Sequence, residues 1–196
     1  MRTFPSRWLA RAAVAAAVIA AMTIGGRAAT EAARFRAFAV NFDAPPGTQA
    51  SGVIDIVVDR WSTQAERDRL LSALERGGQF GLLEAIQDAP RVGSVRVPGS
   101  LGTRLYHAWR EVDTDGHTKI MLVTDRPIGF AEAIDRPRTM DYRFAVVELE
   151  IDADGAGRGT IALAAQLVEG KDEGTLRVKS WTAQPVFLHD VRRTGA

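Results

Sequence analysis

From Pro90 onward, apolar residues recur at every second position, in runs mostly separated by four or five turn-forming residues. Alternation of this kind marks strands with one face buried. Short links join antiparallel neighbours, whereas parallel strands need crossovers of a dozen residues or more. Asp141 to Ile151 carries the pattern most clearly, with Ala145, Val147, Leu149 and Ile151 on one face. It turns through Asp152-Ala153-Asp154-Gly155 into a strand over Thr160 to Val168, then through residues 170–174 into Thr175 to Thr182, and Pro185 precedes a last strand, Val186 to Val191. Upstream, Val92 to Val97 leads through residues 98–102 into Thr103 to Val112. Asp113-Thr114-Asp115-Gly116 turns that strand back into His117 to Thr124, because Asp-Gly readily takes the positive backbone angles that hairpin turns require.

Before Pro90 the chain opens on two more strands, Arg34 to Phe42 and Val53 to Arg60. The period then changes to helical. Thr63 and Glu66 are spaced as a capping box, in which each side chain satisfies an orphan backbone N–H of the other. Leu70, Leu71 and Leu74 follow at helical spacing, and Gly77-Gly78 stops the run. A second helix is predicted from Gln79 to Asp88, with Phe80, Leu82, Leu83 and Ile86 inward and Pro90 beyond its end. The whole predicts an α+β fold: a mainly antiparallel, meandering sheet of about eight or nine strands with one inserted helical hairpin. Open sheet, sandwich and barrel all remain compatible with the pattern.

The first 28 residues are read apart from the fold. Arg2, Arg7 and Arg11 form a positive head, Ala12 to Ile24 is an uncharged apolar stretch, and Gly26-Arg27-Ala28 places small residues around a cut after Ala28. That order is a cleavable signal peptide, and its 13 apolar residues fall short of the roughly 20 that span a bilayer. The expectation is a periplasmic or secreted protein of bacterial type with no stable membrane span after cleavage, residues 29–196 forming one domain. Without the leader's four arginines, 21 basic residues face 24 acidic ones. A nucleic-acid binder shows the opposite bias, so no nucleic-acid partner is expected. The chain has no cysteine, which excludes disulfides, thiolate catalysis and cysteine-held metal clusters.

Few motifs carry chemistry. The two Asp-x-Asp-Gly segments resemble the opening of a calcium loop, but both sit between strands and lack the later ligands such a loop needs. His107, His117 and His189 have no paired metal-binding spacing. No metal or cofactor is therefore implied. There is no Gly-x-Ser-x-Gly elbow. Gly155-Ala156-Gly157-Arg158-Gly159 precedes a strand and lacks the helix N-terminus that holds phosphate. The one concentration of polar residues runs from Thr124 to Tyr142, where Asp125, Arg126, Arg138, Asp141 and Tyr142 surround two prolines. Arginine in such a loop can fork onto a carboxylate or phosphate, and the alternative is that Asp and Arg simply pair with each other. Trp61, at the strand-to-helix junction, is either part of that site or a hydrophobic plug at the helix start. Leu105, His107 and Trp109, read as one unbroken strand, share a face that would line a cavity in a hollow barrel or belong to the core of a filled sheet.

Several strings, Asp59-Arg60-Trp61-Ser62-Thr63, Ala65-Glu66-Arg67-Asp68-Arg69-Leu70-Leu71, Pro90-Arg91-Val92-Gly93, Thr124-Asp125-Arg126-Pro127-Ile128 and Arg138-Thr139-Met140-Asp141-Tyr142, resemble a family of secreted bacterial proteins of uncharacterised activity. The resemblance implies export and a shared fold and transfers no catalytic residue. The functional expectation is a non-enzymatic exported domain that binds a small ligand or an envelope partner, with Trp61, Asp125, Arg126, Arg138, Asp141 and Tyr142 as the ligand-binding candidates. The alternatives are a hydrolase using carboxylates from separate strands, and a structural or assembly protein of the cell envelope.

Overall fold

A computed structural model describes residues 31–44, 46–47, 50–96, 102–126, 128, 142–170, 176–180 and 184–195. The leader, the segment 129–141 with Arg138 and Asp141, and the turn at 97–101 lie outside the described residues. In chain order the elements are β1 (Ala33–Val40), β2 (Ser51–Val58), α1 (Gln64–Gln87), β3 (Gly93–Arg96), β4 (Thr103–Leu105), β5 (His107–Val112), β6 (Thr118–Val123), β7 (Phe144–Ile151), β8 (Ala156–Glu169), β9 (Leu176–Ser180) and β10 (Val186–Gly195).

All pairings among these strands are antiparallel, in the order β4-β3-β2-β1-β10-β8-β7-β6-β5, with β9 added to the far half of β8. The two ends of that order, β4 and β5, are separated in the chain by Tyr106 alone. The sequence pattern predicts one strand over 103–112, whereas in the structure this stretch bends at Tyr106. Leu105 still accepts a hydrogen bond from Val92 N–H (2.8 Å), whereas Tyr106 N–H already donates to Val123 C=O (2.9 Å). One bent segment therefore completes β3 with its first half and β6 with its second. The sheet curls into a nearly closed barrel, the one of the three compatible architectures that removes most free edges.

The inside of this barrel is solid. Phe35, Ile54, Ile56, Val58, Leu105, Leu122, Val147, Leu149, Ile161 and Leu188 belong to one core and are at most 3% exposed. A ring of about eight strands leaves just enough interior width for side chains, so the alternation of β1, β2 and β7 is the sequence image of a packed lumen. Trp61 joins this core at the start of the helical segment, 4% exposed, with the Arg110 guanidinium 4.7 Å from its ring.

The sequence pattern turns the chain at Asp152 to Gly155 and starts the next strand at Thr160, with the glycine run 155–159 ahead of it. The strand begins at Ala156. A Cβ at Gly157 would stand 2.0 Å from Glu150 C=O, and one at Gly159 would stand 2.4 Å from Glu148 C=O. These glycines let β8 lie tightly against β7.

A second core lies outside the barrel. The helical segment packs Leu70, Leu82 and Ile86 on Val123, Phe144, Val146, Ala162, Ala165 and Leu167. Its N-terminus is the expected capping box: Glu66 N–H donates to the Thr63 hydroxyl (3.2 Å) and Thr63 N–H to the Glu66 carboxylate (2.8 Å). Gln79 fixes the middle by mimicking a strand, donating to Leu167 C=O (2.6 Å) and accepting from Leu167 N–H (3.3 Å). Hydrogen bonding makes one element of 24 residues, but Gly78 at φ 56°, ψ −145° breaks its path. A straight helix would place Gly81 about 12 Å from Ala73. Instead, a Cβ added to Gly81 would lie 2.7 Å from Ala73 C=O. The chain folds back at the Gly-Gly corner, as the sequence predicts.

Replacing a helical glycine by alanine ordinarily gains about 0.5–1 kcal/mol. Gly81→Ala is expected to do the reverse, costing about 1–3 kcal/mol through overpacking against backbone that cannot yield. A lower urea midpoint at unchanged slope would be the readout, and a raised midpoint would contradict the folded-back corner.

Candidate functional site

The outer face of the barrel carries three parallel rows of side chains, each set by strand register. The upper row, His107, Val123, Val146 and Ala162, is covered by α1. The middle row runs Trp109, Met121, Glu148, Thr160 and Phe187 across five strands. The lower row, Glu111, Lys119, Glu150 and Arg158, alternates in charge. Directly opposed side chains on neighbouring strands stand about 5 Å apart, so each row is a continuous strip. The middle strip lies below the edge of α1 and forms the floor of a groove of about 640 Å³. Arg67 closes one end of the groove, and Leu176 of β9 and Phe187 line the other. Phe187 in turn meets Phe42 edge-on, with centroids 5.8 Å apart, and stacks with His189 at 6.5 Å.

The bend at Tyr106 creates the closed end. Read as one strand, Leu105, His107 and Trp109 would share a face. The bend shifts the alternation by one residue, so Leu105 enters the barrel core while His107 and Trp109 turn outward to the groove. Arg67, on the first turns of α1, reaches over this end. Its guanidinium stacks on the Trp109 ring at 4.4 Å and contacts Glu111 at 3.5 Å. The Trp109 indole N–H donates to Glu111 (2.9 Å). His107 is 1% exposed, and neither ring nitrogen has a hydrogen-bond partner among the described residues. Burial, with the positive charge of Arg67 beside it, pushes its pKa from 6.5 down to about 4, so the imidazole is neutral at neutral pH.

The groove carboxylates differ in their partners. Glu150 accepts two hydrogen bonds from Arg158 (2.9 and 3.0 Å), and Glu111 is held by Trp109 and Arg67. Glu148 has no hydrogen bond or ion pair among the described residues, and desolvation by the groove walls together with the Glu150 charge raises its pKa. Glu66, just above Arg67, is occupied by the Arg60 fork (2.8 and 3.0 Å). That fork, with the Thr63 N–H, lowers its pKa to about 2.

Of the residues singled out in the sequence, Trp61 is in the barrel core, away from the groove. Asp125 and Arg126 are neighbours that pair with each other in a two-pronged contact (3.0 and 3.0 Å), with Arg126 exposed and Asp125 nearly buried. Their loop is pinned where it leaves β6: the buried Thr124 hydroxyl accepts from Ala145 N–H (2.8 Å) and donates to Arg126 C=O. Tyr142 is partly buried just ahead of β7. The described residues bring none of these candidates into the groove. Both Asp-x-Asp-Gly segments are hairpin turns, the Asp113 carboxylate accepting from Asp115 N–H and His117 N–H. His117 also contacts Asp152 at 2.9 Å in an exposed pair. No group of three metal-ligating side chains converges among the described residues, and no helix among them is long and apolar enough to cross a membrane. No protein-family model, curated protein or solved structure matches the chain.

The neutral His107 has a consequence for stability. The unfolded chain takes up a proton near pH 6.5 and the folded one only near pH 4, so falling pH favours the unfolded state across that window. The urea midpoint of the wild type is expected to drop between pH 7 and pH 4.5. In His107→Phe the drop should be markedly smaller, and an identical drop would show that His107 is already paired or charged.

Proposed function

We propose that this chain, exported and freed of its leader, is a non-enzymatic binding domain that takes a small, largely apolar ligand on the outer wall of its barrel. The observation that carries the reading is a filled lumen beside an open groove. The interior that holds ligand in wider barrels is occupied by side chains, while Trp109, Met121, Phe187 and Leu176 leave an aromatic and aliphatic lining open to solvent. Concave, mostly apolar sites with a few convergent polar groups are the usual form of small-molecule sites. Two of the three groove carboxylates are tied to arginines, which weighs against the hydrolytic alternative. The arrangement does not use the Asp125–Arg126 loop.

Nile red, an uncharged aromatic probe, is expected to bind saturably, with a blue shift in its emission and a change in the protein's tryptophan fluorescence. Thr160 faces the groove from the middle of its floor, so Thr160→Arg should abolish the signal and leave the melting temperature within a few degrees of wild type. Undiminished binding in that variant, or no saturable binding in the wild type, would remove the groove from consideration.

A further inference from the structure

We infer that the ligand carries a carboxylate or similarly planar oxyanion, received at the closed end of the groove by Arg67 and His107. This inference rests on the groove being the binding site and adds the chemistry of the ligand's head.

The side chain of Arg67 is only 13% exposed, yet its guanidinium makes no hydrogen bond among the described residues. Its sole ionic contact among the described residues is the 3.5 Å approach to Glu111, beyond the 2.7–2.9 Å of a charge-assisted hydrogen bond. A guanidinium offers five N–H donors in a rigid fork that matches two carboxylate oxygens. The Trp109 ring, 4.4 Å away, fixes the plane of that fork. A group so enclosed and so poorly bonded is costly unless something supplies acceptors.

His107 gives an independent indication. It lines the same end of the groove, is 1% exposed, and has no partner for either nitrogen among the described residues. Buried polar side chains are nearly always hydrogen-bonded. A neutral imidazole can donate one N–H to an oxyanion without the repulsion that a carboxylate in its place would bring. The charged groups acting on it are Arg67, Glu66 and Arg60. Glu66 and Arg60 are occupied with each other, so the charges left at this end are Arg67 and Glu111. Glu111 is the internal competitor, but its side chain is 59% exposed, so an incoming acceptor can displace its long contact with Arg67 while the Trp109 N–H still holds its carboxylate. With the head so placed, the body of the ligand lies along Trp109, Met121 and Phe187. A strip across five strands measures about 19 Å, enough for a medium-length aliphatic chain or a pair of aromatic rings.

Decanoate, decanol and decylamine separate head from body, with binding followed by tryptophan fluorescence and calorimetry at pH 7.5. Decanoate is expected to bind about tenfold or more tightly than decanol, and decylamine no more tightly than decanol. Arg67→Gln should remove the advantage of decanoate over decanol. Glu111→Gln, which frees Arg67 from its competitor, should strengthen decanoate binding severalfold without changing decanol, so the test does not depend on a loss of function. If decanoate and decanol bind equally well, or both variants move the two ligands alike, the oxyanion assignment fails while the groove stands. If none of the three binds, the groove fails with it.

Discussion

Closing a sheet on itself through a single bent segment is the constraint from which the rest of this structure follows. β4 and β5 are the two ends of the strand order, joined through Tyr106. Because one segment hydrogen-bonds to β3 and then to β6, the ring closes without an additional strand. Closure fixes the circumference, the circumference fixes the lumen, and a lumen of this size is filled by alternating Ile, Leu, Val and Phe. With the lumen packed, the open groove lies on the outer wall, where an ordinary barrel would show water a polar face.

The outer wall is not uniform, and α1 is the reason. Burying an aliphatic side chain contributes about 1.5–3 kcal/mol, and the helix collects that gain by covering Val123, Val146 and Ala162 of the upper row and Phe144 and Ala165 of the row above it. The folded-back corner at Gly78 makes the helical pair compact, and its cover ends at the row of Val123 and Val146. The next row, Trp109 to Phe187, keeps an apolar character with no helix over it, and the row beyond alternates in charge as a solvated surface does. A groove arises at the boundary between covered and uncovered sheet. It also receives Arg67 because the capping box and the Arg60–Glu66 fork fix where the first turn of the helix starts.

What the sequence made legible was local. The period-two runs, the capping box, the Gly-Gly corner and the two Asp-x-Asp-Gly turns are each decided by residues a few positions apart, and each stands in the structure. Closure was not legible, because the bend at Tyr106 is imposed by two pairings that depend on strands far apart in the chain. Nor was the start of β8, since Gly157 and Gly159 look like turn residues until Glu148 and Glu150 are seen against them. The groove was hidden for the same reason. Its floor takes one residue from each of five strands, and register between distant strands leaves no mark on any single segment. The charged run from Thr124 to Tyr142 stood out because its residues are adjacent, and adjacency in sequence is also what lets Asp125 and Arg126 satisfy each other.

His107 shows how one register shift alters a chemical role. On an unbroken strand it would follow Leu105 into the core and find a hydrogen bond there or be replaced by an apolar residue. The bend sends Leu105 inward and His107 outward, beneath the helix and beside Arg67. An imidazole in that position loses most of its hydration and gains a cationic neighbour, and both effects hold it neutral. A folded chain that needed only packing there would be served better by leucine or phenylalanine, which carry no desolvation cost. The polar ring, and the poorly bonded guanidinium next to it, therefore oppose stability at one end of the groove. Such local conflicts between a residue and its packing environment concentrate at functional sites, and this one lies where an anionic head would resolve both at once.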